Sequence, residues 1–349
     1  MPGPPGRDSW VNGDGMDVHP EYLRLAAFEA LEAVGCDYCL YSPVTDVMMD
    51  GDRIIGVQTA SKEGTRAWHA HVIIDATGDG DVAYRAGAEM VQGREEDGRS
   101  MPVSLVFAVA DADADRLISY AETHAGDLEV TYQRAHQAGF AVAAWYAYDR
   151  TTLPGVVTIN NGGWRGAPNI DGTRSAELTL AERMGMQVAV DFVKIARLYR
   201  IPGLERCHLA RAGAAVGVRD TRRLVGEYVV TEEDARRGAE FPDVIARKYG
   251  AIDANQLYTG PMQSGFAYPY RALLPKRIEG LLVAGRCASA TFLGHAAGKS
   301  MGNMMALGQA AGVAAALAAA SNTTPRDVPV SRIQAALEAM GVRLSPPET

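Results

Sequence analysis

Three glycine-punctuated segments hold the residue types from which chemistry could be built. The first, Asp75-Ala76-Thr77-Gly78-Asp79-Gly80-Asp81, follows the apolar burst Val72-Ile73-Ile74. A strand ending in Thr-Gly, with no side-chain bulk, lets a dinucleotide come against backbone amides. The same residues imitate the opening of a calcium loop, with oxygens at its first, third and fifth positions. The loop's last position, however, is Ala86 where a bidentate glutamate is needed, and a strand precedes the segment where the motif needs a helix. The second segment, Gly294-His295-Ala296-Ala297-Gly298-Lys299-Ser300, is a P-loop with one residue too few between its glycines, which disturbs the nest of amides that wraps a phosphate. A better use for it is a helix N-terminus aimed at an anion or an electron-rich ring, with Lys299 adding positive charge. In the third, Gly217-Val218-Arg219-Asp220-Thr221-Arg222-Arg223, three arginines stand close enough to clamp a carboxylate-bearing substrate or a cofactor. A solvated strand end paired with Asp220 and Glu227 explains that segment equally well.

Cys36-Asp37-Tyr38-Cys39 has the CxxC spacing, but redox motifs of that type put the first thiol at a helix N-terminus, where the dipole favours thiolate. Here Gly35 ends a helix and the cysteines are expected to enter a strand. With Cys207 and Cys287 far away, no disulfide framework is indicated. His69 and His71 would share one strand face, yet no further ligand converges on them, so no metal site is expected.

The elements that would position these residues can be read from spacing. Residues 1–15, rich in Pro, Gly and Asp, read as a mobile arm. Pro20 suits a first helical turn, Leu23, Ala26, Ala27, Ala30, Leu31 and Val34 recur at helical spacing, and Gly35 supplies the stop. Strand-like runs over 38–49, 53–60 and 65–74, separated by Asp50-Gly51-Asp52 and Lys62-Glu63-Gly64, predict an antiparallel meander whose last run ends as a buried parallel strand. Residues from about 95 to 270 alternate between strand and helix patterns without a repeat. Gly280-Leu281-Leu282-Val283-Ala284-Gly285 predicts a second buried strand, followed by a glycine-rich corner and a helix over 303–320 in which alanine dominates.

A length of 349 residues allows two domains at ~150 residues each. The 34 Lys and Arg against 42 Asp and Glu leave a net charge of −8 with no basic run, which argues against a nucleic-acid partner. The longest apolar run, Ala310–Ala320, falls short of the ~18 residues of a membrane span, and MPGPPGRDSW has no leader pattern. A soluble, cytoplasmic protein is the expectation. Glycine, at 37 residues, exceeds the usual ~7% and points to tight turns or close backbone approach to a ligand.

Taken in order, Ile73 to Ala83, Gly217 to Glu227, Tyr268-Pro269-Tyr270-Arg271 and Leu281 to Arg286 through Ala306 to Gly312 resemble the FAD-dependent oxidoreductases over most of the chain, from about Asp17 to Leu344. The resemblance implies an α/β fold: an incomplete Rossmann-like FAD-binding domain, made of a parallel sheet plus a β-meander, with an inserted α+β substrate domain. The expected boundaries are an arm over 1–15, FAD-binding segments over 16–94 and 271–349, and the insert over 95–270. By position, Ala76, Thr77, Gly78 and Asp79 would line the nucleotide, and Gly285 and Arg286 would sit near the pyrophosphate. The turn from His295 through Gly298, Lys299, Ser300, Met301 and Gly302 to Asn303 would face the isoalloxazine. Lys299 stands where the family usually has arginine and Gly302 where proline is common, so planar bidentate contacts are lost while charge is kept.

The implied activity is hydride transfer between a small organic substrate and flavin N5. His295 would handle a proton, Arg219, Arg222 and Arg223 would anchor substrate, and Tyr270 and Arg271 would complete the pocket wall. Flavoproteins of this kind normally begin with a strand, a GxGxxG turn and a helix, and no GxGxxG occurs in this chain. The expectation is therefore a C-terminal fragment, a mis-started reading frame or one half of a split enzyme, with an N-terminal FAD-binding partner chain or a homo-oligomer completing it. Two rivals stay open: a non-catalytic fragment or partner subunit that binds no flavin alone, and a nucleotide hydrolase built on the Gly298-Lys299-Ser300 segment.

Overall fold

The computed structural model describes residues 19–260 and 265–346, so the predicted arm over 1–15 lies outside the described residues. It divides into two units. One holds the described chain up to Leu40 together with Pro102–Val218, and the other holds Tyr41–Met101 and the chain from Arg219 onward.

In the second unit the predicted meander forms, with strands Val44–Asp50, Arg53–Ser61 and Gly64–His69 paired antiparallel in that order. Its first turn depends on Gly51, at φ 58°, a left-handed conformation that glycine adopts without steric cost. The first strand starts at Val44 rather than Tyr38, because the chain over 34–43 stays irregular. Cys36 and Cys39 therefore lie in exposed coil and do not enter a strand. The third predicted run splits. Ile73–Asp75 leaves the meander and pairs parallel with Leu281–Val283, in the register Ile73–Leu281, Ile74–Leu282 and Asp75–Val283. A parallel pair needs a long crossover, which here is more than half of the chain.

The helix Met301–Ala320 packs against this pair. Asn303, Leu307, Ala310, Ala311, Ala314 and Ala318 form its buried stripe, at the spacing of one helix face. By length and composition it is one helix among the described residues that could cross a membrane, which the shorter Ala310–Ala320 run did not suggest. A buried stripe within the unit is equally the mark of a core helix. The same core takes in Phe266, Tyr268 and Leu282, through the antiparallel pair Val244–Lys248 and Phe266–Pro269.

The other unit is α+β. Its antiparallel sheet runs in the order Tyr146–Arg150, Val157–Asn161, Phe107–Ala110, His208–Ala212. The helix Ser175–Leu198 buries Val188, Phe192 and Ile195 in the sheet's core, with Phe192 edge-on to Phe107 at 5.3 Å. Helices Ala114–Thr123 and Ala125–Gln137 add Leu117, Leu128 and Tyr132. Asp113 caps the first of these, accepting from the Arg116 amide at 3.0 Å. The observed division differs from the predicted 16–94, 95–270 and 271–349. The helix Pro20–Ala33 groups with the α+β unit, tied by a Glu21–Arg211 ion pair at 3.6 Å. The chain from Arg219 groups with the parallel pair, because its strand Val244–Lys248 shares that pair's core. Local periodicity shows which residues are buried but not which core receives them.

Candidate functional site

Of the predicted cofactor segments, the turn after Asp75 and Gly285-Arg286 stand at the C-terminal ends of the two parallel strands, where ligands of open α/β sheets bind. Asp75 is fully buried and brackets the first turn: its Oδ1 accepts from the amide and hydroxyl of Thr77 at 3.0 and 2.7 Å, and its Oδ2 from the Ala83 amide at 2.8 Å. Thr77 Oγ1 in turn accepts from the Asp81 amide at 2.9 Å. With these side chains committed to the turn, a ligand there meets backbone. Gly78 has φ 82°, and a Cβ at that position would stand 2.6 Å from Arg286 Nη2. Gly285, at the end of the other strand, has φ 86° and nothing within 4 Å of where a Cβ would stand. Arg286 Nη1 lies 2.9 Å from Asp79 Oδ1 but is misaligned for a hydrogen bond, which leaves a buried N–H without an acceptor among the described residues. Two glycine turns and a guanidinium that pairs with Asp79 but keeps an unbonded N–H, at paired strand ends, fit the diphosphate of a dinucleotide.

The third segment lies beside this cradle and serves it differently from the prediction. Arg222 clasps the first turn, donating from Nε to the Asp79 carbonyl at 2.9 Å and pairing with Asp81 at 2.5 Å. Arg223 is buried, donating to the carbonyls of Ala290 at 3.1 Å and Gly93 at 2.8 Å. These two expected substrate anchors are committed to the scaffold. Asp220, between Arg219 and Thr221, is the residue sequence reasoning passed over as a mere partner. Its Oδ1 accepts from the Met101 amide at 2.6 Å, while its buried Oδ2, 3.5 Å from Arg223 Nη1, has no hydrogen bond among the described residues. Burial pushes its carboxyl up to about 6, against the pull of the Met101 amide and of the charges on Arg223, Arg286 and Lys299. Asp220 thus feels the Arg286 side and the Lys299 side of the site together.

Thr291 caps the short helix Phe292–Ala296, and the chain then turns at Gly298, φ 62°, where a Cβ would crowd Asn303 Nδ2, the Tyr249 carbonyl and Lys248 Cβ at 2.9, 3.0 and 3.1 Å. Asn303 pins the corner, donating to the Tyr249 and Gly298 carbonyls at 2.7 and 3.0 Å. Lys299 pairs with Asp253 Oδ2 at 2.8 Å. Ser300 begins the long helix without a side-chain cap, and Met301 and Gly302 are exposed, so the first-turn amides stay open to an anion or a carbonyl edge. The helix begins two residues before the predicted Asn303.

His295 is buried, and its Nε2 lies 3.0 Å from the Arg219 carbonyl, the geometry of a ring N–H donating to it. Burial pushes the imidazole down to about 3, so the ring is neutral at every physiological pH, which does not suit the predicted proton carrier. Arg219 itself is half-buried, and burial lowers its guanidinium against the attraction of Asp253. Tyr270 donates to the Pro325 carbonyl at 2.7 Å, and Arg271 pairs with Asp243 at 3.1 Å while lying over the Tyr228 ring, so both are engaged in packing rather than in a pocket wall.

A further residue the sequence did not flag is Lys248. It is 2% exposed, faces the Tyr268 ring at 4.6 Å and has no carboxylate or carbonyl partner among the described residues. Burial alone pushes its amine down to about 7. Among the described residues no cluster of three or more His, Cys, Asp or Glu is placed to hold a metal, and His71 is instead in contact with the Thr323 carbonyl at 3.1 Å.

Comparison with solved structures finds loose likenesses. The myxobacterial chondrochloren halogenase CndH, described as a variant of FAD-dependent halogenases, is 14% identical with a TM-score of 0.44, the match covering 91% of this chain and 55% of that one. L-proline dehydrogenase from P. horikoshii is 16% identical with a TM-score of 0.33, covering 93% of this chain and 62% of that one. The chain thus spans less than two thirds of the length of these structures, and likenesses at such scores carry no argument about activity. No curated protein matches. The family model of the FAD dependent oxidoreductases, by contrast, matches residues 5–337, which takes in both glycine turns, the arginine segment and the Lys299 corner. The chain belongs to the FAD dependent oxidoreductase family, and its cofactor is FAD.

Proposed function

We propose that this chain catalyses, alone or as part of a larger assembly, the exchange of a hydride between a small organic substrate and its flavin. The observation that supports the reading is the pair of glycine turns at the ends of adjacent parallel strands, with Arg286 between them and Asp220 within electrostatic range of both Arg286 and Lys299. When bound, FAD supplies two-electron chemistry at the isoalloxazine N5. The chain's own residues do the rest. Gly78 and Gly285 offer backbone to the dinucleotide, Arg286 offers charge to its diphosphate, and the open amides of Met301 to Asn303, with Lys299, favour negative charge at the ring's edge. Asp220, ionised in part near neutral pH and with Oδ2 free of hydrogen bonds among the described residues, takes or returns the substrate proton. His295 fixes the Arg219 carbonyl and so acts as a positioning residue, and the Arg219 side chain meets an anionic group of the substrate.

A second reading is favoured by one surface. The helix Met301–Ala320 has no charged residue, yet it exposes Met301, Met305, Gly308 and Gly312. Among the described residues Ile73–Asp75 pairs along one edge only. A further strand and helix, from the same polypeptide or another, would cover both and complete the flavin cradle. The visible spectrum separates the two readings. A flavin band near ~450 nm in the purified chain, or after addition of FAD and gel filtration, supports the first. A colourless chain that takes up no FAD until a glycine-rich βαβ polypeptide is supplied supports the second. Magnesium-dependent nucleotide hydrolysis without a flavin band would overturn both.

A further inference from the structure

None of these roles touches a cleft in the unit that holds Pro102–Val218. The cleft measures about 370 Å³, within the size of small-molecule sites, and is bounded by the helices Ala114–Thr123 and Ala125–Gln137 and by the edge strand Tyr146–Arg150. Its wall includes the aromatic residues Tyr132, Trp145, Tyr146 and Tyr148 among small and aliphatic ones. Tyr146 packs against Tyr132 at 4.6 Å and Phe192 at 5.0 Å, which fixes the ring before any ligand arrives. The hydroxyls of Tyr132 and Tyr148 bond to one another at 2.7 Å, and that of Tyr146 accepts from the Ala143 amide at 2.9 Å. Burial pushes the Tyr148 phenol up to about 12 and raises those of Tyr132 and Tyr146 as well, so the phenols stay neutral and the rings electron-rich.

The charges on the wall do not cancel. Glu129 is committed to Arg165 at 3.0 and 3.3 Å, and that guanidinium holds its carboxyl below the ordinary range. Glu122, in the last turn of its helix, has neither an ion pair nor a hydrogen bond among the described residues. One negative charge is left beside neutral rings, which attracts a cation and repels an anion. Arg165 supplies the complementary demand: its buried Nε–H has no acceptor among the described residues, and an oxygen on the ligand would satisfy it.

We infer that this cleft binds a small, free organic ammonium compound carrying an oxygen acceptor, held by Tyr146 and its aromatic neighbours, by Glu122 and by Arg165. The inference is independent of the flavin reading, since every residue it uses lies in the Pro102–Val218 part of one unit.

Titration calorimetry on the full chain tests it with choline, with the neutral isostere 3,3-dimethylbutan-1-ol, and with phenylacetate. Choline should bind at least about tenfold tighter than the isostere, with phenylacetate weaker than either. Glu122→Gln should weaken choline about threefold or more without moving the unfolding midpoint, since Glu122 supports no other group. Tyr148→Phe, which keeps the ring face, should retain binding. The inference is overturned if choline gives no heat of binding, if the isostere binds as tightly, if phenylacetate binds best, or if Glu122→Gln leaves choline affinity unchanged.

Discussion

Lys248→Met should stabilise the protein, against the usual cost of altering a buried residue. The amine is 2% exposed, faces the Tyr268 ring at 4.6 Å and lies within electrostatic range of the neutral His295, with no carboxylate partner among the described residues. Moving a lysine from an ordinary value of 10.5 down to about 7 corresponds to roughly 5 kcal/mol, at about 1.4 kcal/mol for each factor of ten. The attraction to the ring is already part of that balance, and methionine loses some rotamer freedom on burial, so a net gain of about 3 kcal/mol at neutral pH is the reasonable expectation. The sign follows from proton counting. Between pH 7 and 10.5 the unfolded chain holds the Lys248 proton and the folded chain has released it, so folding stability rises with pH across that window by about 1.4 kcal/mol per pH unit. Below pH 7 both states keep the proton and the full cost of burying charge applies. Urea denaturation of both proteins at closely spaced pH values from neutral upward reads this directly. The advantage of the variant should be largest at pH 7 and should shrink as pH rises, and taking the difference between the two proteins cancels the cysteines and tyrosines they share. A variant less stable at pH 7, or an advantage that ignores pH, would show that the amine has a partner which the burial argument misses.

Gly78→Ala forces a side chain into φ 82° and into the Arg286 guanidinium at 2.6 Å, so FAD uptake followed by flavin fluorescence should fall about tenfold or more; unchanged uptake would remove the first turn from the cradle. His295→Gln shortens the donor to the Arg219 carbonyl and should cost about 1–3 kcal/mol in denaturant unfolding. It should leave the shape of the pH–turnover curve between pH 6 and 8 intact, because the imidazole titrates near 3, and a vanished inflection there would restore His295 as the proton carrier. Asp220→Asn keeps an acceptor for the Met101 amide but cannot ionise, so the inflection near pH 6 in turnover should disappear along with most of the rate. A persistent inflection would assign it to another group.

Glycine was the most legible feature of this sequence because its meaning is conformational. Gly78, Gly80, Gly285 and Gly298 all have positive φ, so the turns they predict occur where the letters stand. The burst Val72-Ile73-Ile74 likewise marks a strand in parallel pairing, although Ile73 and Ile74 are only half-buried among the described residues. Charged residues were read less well, because a letter shows that a charge exists but not what lies across from it. Arg222 and Arg223 have the composition of a substrate clamp, yet their acceptors, Asp79 and Gly93, stand more than a hundred residues earlier in the chain. His295 shows the same failure in another form: its ordinary value near neutrality suggests proton traffic, and only its burial excludes it. Lys248, followed by Tyr249 and Gly250, has the look of a solvated strand end, but all of Ile245 to Lys248 are buried and no alternation warns of it. These residues share a cause. Desolvation depends on which distant elements pack above a side chain, and local spacing carries no record of that. The consequence for mechanism is specific: the groups whose proton affinities move into the working range are Asp220 and Lys248, neither of which has a motif, while His295, which lies within one, moves out of it.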